Sequence, residues 1–159
     1  MSMKTGIIIV DHGSRRDESN RLLERVAAAF GERFGAQYDI VEPAHMELAE
    51  PSIASAYARC VGRGATRVVV CPYFLGPGKH WTGDIPSLTA AAAAKFPGTT
   101  FHVTQTLGLD DLMLELLNKR VGHCVENQFL CDVCKGTPRS GECTVPSPGP
   151  LSPVLRGEG

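Results

Sequence analysis

The sequence predicts an α/β fold: a small four-stranded parallel sheet with helices on both faces, followed by a Cys-rich irregular tail. Three observations carry this reading. Short apolar runs such as Gly6-Ile7-Ile8-Ile9-Val10 and Arg67-Val68-Val69-Val70-Cys71 lack polar alternation, which marks strands buried on both faces. Between such runs lie longer stretches with apolar residues at three-and-four spacing, which marks amphipathic helices. Strands alternating with helices imply parallel βαβ units.

The elements follow in order. Residues 5–10 read as the first strand, and 11–16 as a polar loop holding Gly13 and Ser14. A helix is expected from Asp17 to Phe34, with Leu22, Leu23, Val26, Ala27, Phe30 and Phe34 on its inner face. Asp17 and Glu18 suit its first turn, where negative charge meets the positive end of the helix dipole, and Gly35 suits its end. Residues 38–42 read as the second strand, with a loop from Pro43 to Glu50. Pro51 suits a first helical position, and that helix ends near Gly62 or Gly64. The third strand covers 67–71, where Pro72 stops it because its nitrogen has no hydrogen to donate. A long loop from Pro72 to Gly83, rich in Gly and Pro, precedes a helix over Ile85–Phe96. A fourth strand over 100–104 and a last helix over 110–124 complete the α/β part.

Composition narrows the function. The chain has 159 residues, 43% of them hydrophobic and 21% charged, as expected for one soluble domain. A net charge of −1 gives no global field for nucleic acid or an anionic membrane, so an acidic ligand must be held by local basic groups. No apolar run reaches the roughly 18 residues that a membrane span needs. The N-terminus enters the first strand almost at once, with no signal-peptide pattern and no room for a transit peptide. Cys60 and Cys71 read as small core hydrophobes.

The chemistry concentrates just past the strands. His12 follows the first strand and His80 follows the third, so both fall at the carboxyl edge of the sheet, where open α/β sheets bind ligands. Glu47, past the second strand, is the third member. Two imidazoles and a carboxylate suit a divalent cation or proton transfer. His45 is a weaker candidate, His102 reads as a structural strand residue, and His123 belongs with the tail. Arg15, Arg16 and Lys79 lie at the same edge and suit carboxylate groups, and the Ser14 region can offer backbone N–H groups to an anion. Trp81, Phe74 and Leu75 either cover a flat ligand or pack the loop onto the sheet.

Four stretches in order resemble the short class II chelatases, the SirB and small CbiX type: Asp11-His12-Gly13-Ser14-Arg15, Met46-Glu47-Leu48-Ala49-Glu50-Pro51-Ser52-Ile53, Pro72-Tyr73-Phe74-Leu75-Gly76-Pro77-Gly78-Lys79-His80 and Asp84-Ile85-Pro86. The resemblance covers residues 4–120 and implies a chelatase-like half fold over residues 1–125. It implies insertion of Fe(II) into sirohydrochlorin, with Co(II) for cobalamin in some relatives. It places the metal-handling and catalytic roles on His12, His80 and Glu47, with Ser14, Arg15, Arg16 and Lys79 as substrate anchors. A homodimer is expected, with the tetrapyrrole between two sheet edges. A reading from another class is a tetrapyrrole or metal carrier that binds without turnover.

The tail reads as a Cys-rich segment over residues 126–145 and a Pro- and Gly-rich disordered end over 146–159. Cys124, Cys131, Cys134 and Cys143 form C-x6-C-x2-C-x8-C, a thiolate set that suits zinc or an iron–sulfur centre. Spacing does not choose between them. The resemblance implies a [2Fe–2S] cluster, because plant-type members carry such a tail. It also implies a plastid-stroma location for a plant or algal source, and a cytoplasmic one otherwise.

Overall fold

The computed structural model describes residues 3–127. Its elements are β1 (Thr5–Asp11), α1 (Asp17–Phe34), β2 (Ile40–His45), α2 (Ile53–Gly62), β3 (Arg67–Pro72), a π-helical turn (His80–Asp84), α3 (Ile85–Ala93), β4 (Thr100–Val103) and α4 (Asp111–Glu126). One compact unit ends at Asp110, and α4 belongs to a second.

The four strands form one sheet in the order β2-β1-β3-β4. All neighbours are parallel, and Ile8 of β1 lies opposite both Glu42 of β2 and Val70 of β3. This is the predicted α/β architecture. Successive side chains of β1 go to opposite faces. Ile8 and Val10 join Ile40, Ala44, Ile53, Tyr57, Val68 and Ile85 in one core cluster, which packs residues of α2 and α3. Ile7 and Ile9 enter a second cluster with Leu23 and Ala27 of α1. Burying both sets explains why β1 shows no alternation in its sequence.

Gly6 lets α2 approach β1 closely, since a Cβ there would lie 2.8 Å from that of Cys60. The Cys60 thiol, pushed up to about 12 chiefly by burial, behaves as the core hydrophobe expected. Cys71 is half-buried.

The structure corrects three expected boundaries. β2 runs on to His45, so Pro43 and Ala44 are strand and not loop. Pro43 is tolerated because β2 is an edge strand, where one side needs no ladder donor. α2 starts at Ile53, with Ser52 as its cap accepting from the Ser55 N–H at 3.3 Å, rather than at Pro51. The loop after β3 ends early, because a helical turn already forms at His80.

Candidate functional site

The order β2-β1-β3 places a topological switch between β1 and β3, and ligands bind where such a switch opens a crevice beyond the strand ends. The loops after β1, β2 and β3 meet there. The Asp11 carbonyl accepts from the Met46 N–H at 2.8 Å, and the His12 carbonyl accepts from the Glu47 N–H at 3.0 Å. Val10 accepts from the Tyr73 N–H at 2.7 Å, which holds the third loop to β1.

Gly13 makes the first two loops fit. Its φ is +86°, and a Cβ built there would lie 1.9 Å from the Glu47 carbonyl oxygen. The Asp11 carboxylate ties the turn down: one oxygen, Oδ1, accepts from the Gly13 N–H at 2.9 Å and from His45 Nδ1 at 2.6 Å. His45 is buried, and its Nε2 finds no hydrogen-bond partner among the described residues. Its place is therefore beneath the site as a support for Asp11.

His12 Nε2 stands 2.7 Å from Glu47 Oε1, and His12 Nδ1 stands 3.1 Å from the Gly13 carbonyl. A carboxylate and a ring nitrogen at that distance share a proton, whichever of them formally holds it. The His80 ring meets the His12 ring edge-on, with centroids 5.2 Å apart and planes at 72°. His80 sits on the π-helical turn, in which the Ile85 N–H reaches back to the His80 carbonyl. Such turns are frequent at functional sites. His80 Nδ1 donates to Asp84 Oδ2 at 2.7 Å, which leaves Nε2 for a ligand. The His12 and Glu47 side chains keep 41% and 53% of their surface open, and those of His80 and Asp84 keep 46% and 40%, so both pairs are reachable from solvent.

Glu47, His80 and Asp84 line a cleft of about 410 Å³ together with Met46, Ser87 and Leu88. A second recess of about 360 Å³ is lined by Ser14, Arg15, Asn20, Arg21, Leu48 and Glu50 among others. Among the described residues no three His, Cys, Asp or Glu side chains stand grouped ready around a metal ion. His12 Nε2 is closed onto Glu47, which lines the cleft.

The predicted residues separate into groups. His12, Glu47 and His80 come together. Arg15, Arg16 and Lys79 are exposed on the flanking loops, and Arg15 shares its recess with Arg21, a cation not anticipated. Ser14 is engaged within its own loop: its backbone N–H and carbonyl both bond the Asn20 side chain, and its hydroxyl accepts from the Arg16 N–H. Trp81 gives its ring N–H to the Thr104 carbonyl at 2.8 Å, and Phe74 packs against the core, so both rings anchor the loop. His102 is exposed on β4, and Cys124 lies on α4. Cys131, Cys134 and Cys143, with the proposed disordered end, lie outside the described residues. Asp11 and Asp84 were not anticipated as site residues. For Asp84 the signal was present, because it stands one helical turn from His80 (i, i+4).

The CbiX family profile matches residues 6–124. The chain belongs to the CbiX family. It is 55% identical over 136 residues to the sirohydrochlorin ferrochelatase, chloroplastic, of Arabidopsis thaliana, covering 83% of this chain and 60% of that protein. It is 42% identical over 82 residues to the sirohydrochlorin cobaltochelatase of Methanocaldococcus jannaschii, covering 52% of this chain and 56% of the relative. The chain thus spans somewhat more than half the length of these relatives. A cobalamin-biosynthesis CbiX protein of Marinobacter aquaeolei superposes with a TM-score of 0.64 at 26% identity, over 77% of this chain and 98% of that one. SirB from Bacillus subtilis with Fe3+ superposes with a TM-score of 0.63 at 31% identity, over 74% of this chain and 46% of that one.

Proposed function

We propose that this CbiX-family chain inserts Fe(II) into sirohydrochlorin to give siroheme. The observation that carries the reading is the convergence of His12, Glu47 and His80 from three separate loops onto one switch-point crevice. The name of the Arabidopsis relative points to the same reaction.

The chemistry follows from charge balance. A divalent ion enters the macrocycle as two pyrrole N–H protons leave, so the site must deliver a cation and take up protons. His80 Nε2, held outward by the Nδ1 bond to Asp84, is an outward-facing ligand atom. Glu47 supplies the hard oxygen ligand once its contact with His12 opens. His12, freed from Glu47, can accept the two pyrrole protons in turn at Nε2 and release each to solvent, to which its side chain is open. Arg15, Arg16 and Lys79 hold the peripheral carboxylates of the substrate, with the Ser14 hydroxyl fixing the backbone of Arg16. Cobalt insertion is the second reading, and the name of the Methanocaldococcus relative supports it.

Three finer statements belong to the same proposal. Two copies of this chain form the working unit, because the chain matches 98% of one solved relative but only 46% of another. The thiolates of Cys124, Cys131, Cys134 and Cys143 are chemically suited to a [2Fe–2S] cluster, which would add a redox-responsive centre. The protein works in the plastid stroma, as the chloroplastic relative suggests. Among the described residues no helix is long and apolar enough to cross a membrane.

The test is metallation of sirohydrochlorin with Fe(II) and Co(II) in parallel, followed by ring absorbance. His12→Ala and His80→Ala should each lower turnover by at least a hundredfold. Wild-type rates in both variants would end the assignment. Tight binding with no rate enhancement by the wild-type chain would make it a carrier.

A further inference from the structure

We infer that Leu48 contacts the macrocycle: its side chain packs on the flat face of the tetrapyrrole beside Glu47 and sets the affinity for it. The inference rests on the chelatase reading above and extends it to a residue that the His–Glu–His set does not include.

Two independent features of Leu48 point this way. Its φ is +66°, the left-handed region, and among the described residues no other non-glycine residue is found there. A branched side chain fits that conformation poorly, whereas Gly or Asn would adopt it with less strain. Its side chain is also 55% exposed and packs on neither core cluster. A leucine that strains its own backbone and faces water contributes little to the unliganded fold. Strain of this kind persists at sites where the side chain acts on a ligand.

The surroundings identify the ligand class. Leu48 follows the carboxylate paired to His12, and the recess it lines mixes Arg15 and Arg21 with Asp17, Glu24 and Glu50. Tyr73, Leu75 and Leu88, all on elements that meet at this edge, are exposed apolar residues as well. Exposed apolar side chains at one sheet edge complement the face of a conjugated plane, which loses apolar surface to water when they cover it. Neither a metal ion alone nor a small polar anion would use a leucine.

The experiment compares Leu48→Gly, Leu48→Asn and Leu48→Met in the full chain. Thermal unfolding, steady-state metallation of sirohydrochlorin and binding of the metal-free macrocycle by quenching of the single tryptophan are measured for each. Leu48→Gly and Leu48→Asn should unfold at the wild-type temperature or about 3 °C above it, because the strain is relieved. Their KM and Kd for the macrocycle should rise roughly tenfold with kcat within about twofold, the signature of lost uniform binding. Leu48→Met, still apolar, should keep the wild-type KM. An unchanged KM in Leu48→Gly would overturn the inference. So would a fall in kcat at constant KM, which would make Leu48 a prop for Glu47, or a lower unfolding temperature, which would make it a packing residue. A wild-type chain that neither binds nor metallates the macrocycle would fail differently, since it removes the chelatase reading and this inference with it.

Discussion

Replacing Gly13 by Ala should damage both the fold and the site, and the two effects can be separated. The added methyl carbon would lie 1.9 Å from the Glu47 carbonyl oxygen, where nonbonded carbon contacts are comfortable only near 3.5 Å. The obstacle is backbone, so no side chain can swing aside. The loop carrying Glu47 must retreat by more than an ångström, or the Gly13 turn must unwind. Retreat breaks the bonds from the Met46 and Glu47 N–H groups to the Asp11 and His12 carbonyls, at about 1 kcal/mol each. Keeping φ at +86° with a Cβ present costs roughly 1–2 kcal/mol more. The expected loss is therefore about 3–4 kcal/mol, measured as the shift in free energy of urea unfolding at unchanged m-value. Where the variant remains folded, Glu47 no longer meets His12, and an ångström of misplacement lowers metallation by about a hundredfold. A loss below about 1 kcal/mol with normal turnover would refute this account of how the two loops lock.

Further outcomes follow from the same contacts. Asp84→Asn should weaken Co(II) binding by roughly 10–100-fold in a d–d absorbance titration while leaving the unfolding temperature nearly unchanged, because it removes the carboxylate that orients His80. Asp11→Ala strips the acceptor from the Gly13 N–H and from buried His45 Nδ1, and should destabilise the chain by about 2–4 kcal/mol in urea. Glu50 is held below the usual carboxylate range, first by the Ser52 backbone N–H and then by the Ser55 hydroxyl. A lowered folded-state value means that its contribution is present above the unfolded value of 4.5 and fades as pH falls below it. Wild type and Glu50→Gln should therefore differ in urea midpoint at pH 6, the difference should shrink as pH falls below 4.5 through the lowered folded-state value, and a constant difference would contradict this.

Much of the sheet could be read from the chain because β1 is buried on both faces and β3 is buried on one and half-covered on the other, so little of either faces solvent to dilute the apolar signal. That same signal placed His12 and His80 at one edge, and the structure brings their rings together. β2 was harder to read because it is an edge strand, so a proline within it looks like a loop and yet breaks no ladder on its open side. The support beneath the site was hidden for a different reason. Asp11 and His45 look like two ordinary polar residues until depth is known, and depth comes from the parallel register that sets them opposite each other. Asp84 escaped because Gly76, Pro77, Gly78 and Gly83 together make the stretch read as loop, which conceals the helical turn that makes His80 and Asp84 neighbours.

The wide turn before α3 has a consequence for how this chain tolerates change. Relative to ordinary helical winding, the five residues His80–Asp84 hold one residue in excess. Deleting that residue would tidy the spiral and satisfy every peptide group, yet it would swing the imidazole about 100° around the axis, away from its partner imidazole. An apparent flaw in the helix is thus the sighting device of the crevice. Indels in this short stretch should be far less forgiving than those in the Gly-Pro-Gly segment just upstream.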